Sequence, residues 1–218
     1  MKNIKAVIFD ADGLIIDTER TMPFILRDVM AEFGYSPPDF VQWYYKNASG
    51  CRDDLVVQKL VKEFGIEVNQ ATIKRFNEYR DAYYQVNPPQ VKPGFFELLD
   101  FLKNKRIKLA ICSSSRSEQL YNKLELAGVL VSDFDVIIDG SMVENPKPHP
   151  QPYLLACKKL GIKPKNAIAL EDSNHGIESA YRAGLNVISV PDVQVNDAEK
   201  IKLACYTLNS LDKVIALL

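Results

Sequence analysis

An α/β protein, a parallel sheet with helices on both faces plus an inserted all-helical segment, is predicted by three features of the sequence. Short apolar runs alternate with helical patterns from Pro93 onward. Each run stops at acids, hydroxyls or an Asp-Gly turn. A purely helical stretch, residues 18–87, separates the first run from all the others. Buried parallel strands read as continuous apolar runs, and their alternation with helices implies crossover connections.

The first run is Ala6-Val7-Ile8-Phe9, ended by Asp10-Ala11-Asp12-Gly13, because Asp is a poor strand residue and Gly marks a turn. A helix follows, with Thr18 as its expected N-cap and Phe24, Leu26, Val29, Met30 and Phe33 at helical spacing up to Gly34. After Pro37-Pro38 a second helical segment carries Phe40, Val41, Trp43 and Tyr44, with the aromatic residues 43–45 expected in a local core. Ser49-Gly50 interrupts it, and Asp53 to Phe64 resumes. A further helix, about Asn69 to Gln85, places Ile73, Phe76, Tyr79 and Tyr83 on one face, and Asn87-Pro88-Pro89 stops it. Turn residues at both borders suit an insertion into a host domain. The expected division is therefore a core of residues 1–17 and 88–218 and an inserted helical unit of residues 18–87.

Beyond the insertion come a helix from Phe95 to Lys103, a strand from Ile107 to Cys112 ending in Ser113-Ser114-Ser115, and a helix through Leu120, Leu124 and Leu126 to Gly128. Strand three is Phe134 to Ile138, and the loop Asn145 to Pro150 leads to a helix ending near Gly161. Strand four, Ala167 to Leu170, ends in Glu171-Asp172-Ser173. A helix to Gly184, a strand from Asn186 to Val190, a short strand near Tyr206 to Leu208 and a last helix from Leu211 to Leu217 complete a Rossmann-like arrangement.

Bulk composition excludes several classes. The 218 residues suit one large domain or two small ones, with charged residues at 25%, the hydrophobic set at 47% and a net charge near −1. That balance leaves no electrostatic footprint for nucleic acid or an anionic membrane. No apolar run approaches the roughly 18 residues of a membrane span, and Asp10 and Asp12 break the signal-like start. The four cysteines are too scattered for a zinc site or a disulfide framework. Three of them, Cys112, Cys157 and Cys205, lie in apolar segments and are expected in the core. A reducing, cytoplasmic location is expected.

In open parallel sheets, ligands sit beyond the carboxyl ends of the strands. Those exits deliver Asp10 and Asp12, Ser113, Glu171 and Asp172, while the loop after strand three delivers Lys147. Each alone suits a plain role: an Asp-Gly turn, an N-cap cluster, a solvated lysine, a helix start favoured by the macrodipole. Together they suit a hard oxygen-bound cation, Mg²⁺, and a phosphoryl dianion held by a lysine and a hydroxyl. A carboxylate aimed at phosphorus serves as nucleophile, and a second moves protons to the leaving oxygen and from water.

FDADG, the serine after LAIC, the lysine of KPHP and LEDS occur in that order, and on these motifs the chain resembles the haloacid dehalogenase-like superfamily over essentially its whole length. The similarity is to the branch with a helical cap after strand one, which includes β-phosphoglucomutase and many small-metabolite phosphatases. It implies Asp10 as nucleophile and Asp12 as general acid and base. It implies Mg²⁺ on Asp10, the carbonyl of Asp12 and Asp172, with Glu171 as a further or water-mediated contact. Ser113 and Lys147 would bind the transferring phosphoryl group, with Gly13 and Ser114 beside it. The family sheet order sets strand one beside strand four.

The cap is expected to read the rest of the substrate through the turn Ser49-Gly50-Cys51-Arg52, with Gly50 and Arg52 as candidate contacts and Cys51 passive. His149 and His175 are not needed as acid or base, because Asp12 fills that role. One departure matters. The mutase carries a histidine ten residues after its acid/base Asp, and Met22 stands there in this chain, with Arg20 nearby; a thioether cannot do that polar job. The expected protein is a Mg²⁺-dependent phosphatase of a small phosphorylated metabolite, a sugar or polyol phosphate, working as a monomer or weak dimer. The alternative is a β-phosphoglucomutase-like phosphomutase. A signalling protein without turnover is a third reading, disfavoured because both leading acids lie on strand one.

Overall fold

The structure is a computed structural model that describes residues 3–193 and 197–218. Among them, six strands form one parallel sheet in the order β3-β2-β1-β4-β5-β6. The strands are β1 (Ala6–Phe9), β2 (Lys108–Cys112), β3 (Val136–Ile138), β4 (Ala167–Glu171), β5 (Asn186–Ser189) and β6 (Tyr206–Thr207). β1 lies between β2 and β4, with Phe9 level with Ile111 on one side and Leu170 on the other.

Successive residues of a strand face opposite sides of the sheet, and the two sides are built differently. Val7, Phe9, Leu109, Ile111, Ile168 and Leu170 form one core with helices α5 (Phe95–Asn104) and α6 (Ser117–Leu126). There Phe9 sits edge-on to Phe95 and Phe134, with ring centroids 5.9 and 6.1 Å apart. The alternate residues are smaller: Ala6, Ala110, Ala167 and Ala169, which with Ile8 and Cys112 meet helices α7 (Gln151–Leu160) and α8 (Asn174–Arg182). The missing side-chain volume is filled by Tyr153, which is wholly buried.

Between β1 and α5 stand four helices: α1 (Met22–Glu32), α2 (Phe40–Asn47), α3 (Asp53–Phe64) and α4 (Gln70–Val86). They share a core of their own, with Met30, Phe40, Tyr44, Leu60 and Ile66 at its centre and Trp43 and Tyr45 packed against it. The chain enters and leaves this unit through two adjacent segments. The Asp17 N–H donates to the Gln90 carbonyl and the Lys92 N–H to the Ile15 carbonyl, each at 2.8 Å, and Ile16 bridges Val91. No helix among the described residues is long and apolar enough to cross a membrane.

Several sequence expectations change here. Thr18 is not an N-cap: α1 starts at Met22, and the Thr18 hydroxyl donates to Asp12 at 2.7 Å. α1 buries Pro23, Ile25, Val29 and Met30 and leaves Phe24 and Phe33 exposed, because its inner face is set by α2 and α4. α4 buries Tyr84 and Arg80 rather than Tyr83. Asn69 does start that helix, in a reciprocal capping box with Thr72. The last segment, Leu211–Leu217, is a 3₁₀ helix. Cys205 is exposed just before the short edge strand β6, whereas Cys112 and Cys157 are buried as expected.

Phe9→Ala empties the centre of the larger core and leaves two aromatic edges without their partner. The expected loss is about 3–5 kcal/mol of unfolding free energy, read by urea denaturation with the slope unchanged.

Candidate active site

The C-terminal ends of β1, β2 and β4 converge at one rim. Asp10 follows β1 directly, its N–H donating to the Leu170 carbonyl at 3.0 Å. Asp172 follows β4, and Ser113 follows β2 with its N–H on the Ile138 carbonyl at 2.9 Å. Lys147 arrives from the loop after β3 and is almost entirely buried. Its ammonium donates to Asp10 at 2.5 Å, to Glu171 at 2.6 Å and to the Cys112 carbonyl at 2.8 Å. The nitrogen also lies 5.1 Å from the centre of the Tyr153 ring, a favourable placement for a cation.

Glu171 is fully enclosed and has its oxygens engaged by protein donors. Besides Lys147, the Tyr153 hydroxyl donates to it at 2.5 Å and the Ser173 hydroxyl at 3.2 Å. The start of α8 closes on it so tightly that a Cβ at Gly176 would come within 1.9 Å of the carboxylate. A buried carboxylate holding a buried ammonium keeps that ammonium fixed and charged.

Three acids share this small volume: carboxylate oxygens of Asp10, Glu171 and Asp172 lie within 4.8 Å of one another. Burial pushes the Asp10 carboxyl up to about 8, with Lys147 opposing and Glu171 adding to the rise. Asp172 is raised well above the carboxylate range by burial and by Asp10 and Glu171. Lys147 loses basicity to burial, but Asp10 and Glu171 more than restore it and keep it protonated. Gly13 must be glycine here, since its φ is +83° and a Cβ would stand 2.2 Å from an Asp172 oxygen.

Asp12 faces a different set of groups. The hydroxyls of Thr18 and Ser115 donate to it at 2.7 and 2.8 Å, and the Lys123 ammonium donates to the same carboxylate. Lys123 also donates to Ser115 at 2.9 Å. Burial works against ionisation, yet Lys123 and the hydroxyls hold Asp12 below its ordinary value. The Ser113 hydroxyl accepts the Ser115 N–H at 3.0 Å, which folds the serine run into a tight cradle. Gly140 closes its other side, where a Cβ would meet the Ser114 carbonyl at 2.3 Å.

A cavity of about 470 Å³ opens between this rim and the helical unit, bordered by Asp10, Asp12, Ser114 and Gly50 among the expected site residues. Ser113, Lys147, Glu171 and Asp172 are buried and do not line it. Arg52 is not on the cavity wall; it precedes the first turn of α3. Gly50 approaches the core so closely that a Cβ would lie 2.5 Å from the Ser173 Cβ. His149 is exposed and accepts the Gln151 N–H at 3.2 Å, away from the acids. His175 lies against Cys51, with Nδ1 3.8 Å from the sulfur, and Lys59 donates to that sulfur at 3.3 Å.

Sequence reading passed over Thr18, Ser115, Lys123 and Tyr153. For Lys123 a signal existed: it lies on the same helical stripe as Leu120, Leu124 and Ala127, where a charged residue needs a buried partner. Nothing local marked Tyr153, a residue of α7 whose partner Glu171 comes from the end of β4.

Glu19 was also missed. It is buried, and the Ser49 hydroxyl of the helical unit donates to it at 2.6 Å. Burial raises it from 4.5 to about 7, against the pull of that hydroxyl. The folded form therefore binds more protons than the unfolded chain between about 4.5 and 7, and stability falls as pH rises through that window. Glu19→Gln removes the cost while keeping an acceptor for Ser49. Urea unfolding at pH 5 and pH 8 is expected to show near parity at the lower pH. At the higher pH the variant gains on the order of 3 kcal/mol.

Known proteins bear on this arrangement. The profile of the haloacid dehalogenase-like hydrolases matches residues 7–190. The putative phosphatase YhcW of Bacillus subtilis is 35% identical over 191 residues, which cover 87% of this chain and 84% of that protein. A phosphorylated carbohydrates phosphatase of Thermotoga maritima is 30% identical over 199 residues, 91% of this chain and 90% of its own length. Among solved structures, a putative beta-phosphoglucomutase from Thermotoga maritima superposes with a TM-score of 0.77 at 28% identity, covering 98% of both chains. With the matched span taking in β1 to β5 and the whole acidic rim, the chain belongs to the haloacid dehalogenase-like hydrolase family.

Proposed function

We propose that the protein is a Mg²⁺-dependent phosphatase of a small phosphorylated metabolite, a sugar or polyol phosphate, acting through an aspartyl-phosphate on Asp10. The observation that carries this reading is the Asp10 carboxylate held 2.5 Å from the buried Lys147 ammonium while bordering the cavity. A nucleophile is thus fixed in direction, and a cation beside it awaits the phosphoryl oxygens. The Ser113 and Ser114 hydroxyls would add donors for those oxygens, while the Ser113 and Ser115 N–H groups and the Ser115 hydroxyl hold the cradle itself together.

Asp12 is the proton-handling group in this proposal. Its three donors favour the carboxylate, which suits taking a proton from the water that attacks phospho-Asp10. Giving a proton to the leaving oxygen in the first half-reaction requires Asp12 to turn away from those donors. Once turned, Asp12 takes up a proton from solvent; the alcohol leaves with that proton and the attacking water returns one, so the cycle closes.

The chemistry of the donor set fits a hard divalent cation. Asp10 and Asp172 are both driven toward protonation by burial, with neighbouring acids adding to it, and a cation would relieve both. Asp10, Asp172 and the Asp12 carbonyl would hold Mg²⁺, which would supply charge neutralisation for the phosphoryl oxygens. Glu171 serves Lys147 before it serves a metal, since its oxygens take Lys147, Tyr153 and Ser173.

Residues 18–87 act in this reading as a cap on a core of residues 1–17 and 88–218. Supporting it are the paired crossing segments, the Gly50 contact with Ser173 and the hydrogen bond from Thr18 to Asp12. The phosphatase reading is preferred to a phosphomutase because Met22 lines the cavity where a polar partner for Asp12 would be needed. The reading places the enzyme in the cytoplasm.

Asp10→Asn is expected to lower phosphate release at least about a thousandfold, and EDTA to abolish it until Mg²⁺ is restored. Retained activity in that variant sinks the aspartyl-phosphate route. A separate check is thermal: Mg²⁺ raises the melting temperature, and more at pH 8 than at pH 5. The sign follows from Asp10, whose folded pKa of about 8 means that protons compete with the metal below that pH.

A further inference from the structure

We propose that the preferred substrate is a sugar or polyol phosphate carrying an apolar body, which seats under the helical unit, rather than a bare sugar or polyol phosphate. This rests on the phosphatase reading and extends it to the leaving alcohol. The cavity of about 470 Å³ has two unlike ends. Next to Asp10 and Asp12 its wall is polar, with Ser114, Ser115, Gln119 and Lys123. Farther up, between α1, α3 and α4, the wall is carried by Met22, Leu26, Phe33, Val57, Ile73 and Phe76.

That upper wall merges with the core of the helical unit, since Met30, Tyr44, Leu60 and Ile66 also line it, yet part of it is uncovered. Ile73 and Phe33 line the cavity with 45% and 39% of their surface uncovered. Met22, Leu26, Val57 and Phe76 are half-buried. Apolar side chains left uncovered on three helices, around a space of drug-sized volume continuous with the nucleophile, form a binding wall. Its few polar groups are largely committed elsewhere. The Thr72 hydroxyl is held in the capping box of α4, and Glu19 accepts from Ser49. Gln58 on α3 and Asn77 on α4 remain as polar groups of the lining, while the Tyr35 hydroxyl accepts the Glu67 N–H and Asp53 accepts from Gln119.

A chain of hydroxyls reaching that end would exchange water for Leu26, Ile73 and Phe76 and recover few hydrogen bonds. An apolar or aromatic substituent there is favoured by burial against the same side chains. The hydroxyls belong at the polar end, within reach of Ser114, Gln119 and Lys123, and the apolar part above them.

Matched substrate pairs test this: ribose 5-phosphate against its 1-O-benzyl riboside, and glucose 6-phosphate against its phenyl glucoside, with kcat/KM read by phosphate release. The substituted member is expected to be better by about tenfold, and an advantage under threefold overturns the inference. Ile73→Asp and, separately, Phe33→Asp are expected to cut that advantage at least in half. Val61→Asp, an exposed site on α3 away from the cavity, leaves it unchanged. Melting curves confirm that each variant is folded, and an advantage unaltered in both cavity variants also overturns the placement. Release from the bare sugars without any gain for the substituted ones removes this inference alone. Release from neither member removes the phosphatase reading and this inference with it.

Discussion

The buried ammonium of Lys147, clasped between Asp10 and Glu171, is the interaction on which the rest of the site depends. Charges removed from water are costly unless paired and hydrogen-bonded. Here the lysine has two carboxylates, a carbonyl and an aromatic face. The sheet order makes that possible. β1 and β4 are neighbours, so Asp10 and Glu171 leave adjacent strands, and the carbonyl of Cys112 comes from β2 on the other side. Tyr153 then locks Glu171 from the helix layer, in a space that the alanines of β1, β2 and β4 leave open. Packing on the sheet face thus decides the electrostatics at its edge.

Charge in the site is divided in a way that suits two roles for two aspartates. Asp10 is raised by burial, with Glu171 adding to the rise against the pull of Lys147; Asp12, equally buried, is held low by a lysine and two hydroxyls. Two carboxyls only two residues apart diverge because their side chains meet different elements. One turns to the loop after β3 and the end of β4, the other to α6 and the entry to the helical unit. Separation of this kind between neighbouring titratable groups is a common basis for assigning different proton roles.

The points where the helical unit meets the core are chemical as well as structural. Gly50 rests on Ser173, one residue from Asp172, and the Gln119 amide of α6 donates to Asp53 at the start of α3 at 3.3 Å. Thr18, on the crossing segment that enters the unit, donates to Asp12. Any movement of the unit about its paired crossings would therefore be felt at both aspartates.

Much of this was legible in the chain itself. The strand runs, the helical insertion and the rim acids follow from local pattern, because apolar periodicity and turn residues act over short distances. Asp10, Asp12, Ser113, Lys147, Glu171 and Asp172 stood out because all lie at strand exits or in a loop leading from one. Other features came only from tertiary contact. Thr18 looked like an N-cap, since a hydroxyl before a helix fits that role equally well until Asp12 is brought to it from six residues away. Lys123 and Tyr153 joined the site because α6 and α7 pack on opposite faces of the sheet and reach the same rim. Arg52 matched a turn pattern but not the cavity wall, since side-chain direction at a helix start depends on how the helices cross. Local sequence determined which elements form and which residues end them. The choice of partners for each buried charge was made by the folded arrangement, because a charge taken from water is satisfied by whatever the sheet order and helix packing place within hydrogen-bond reach.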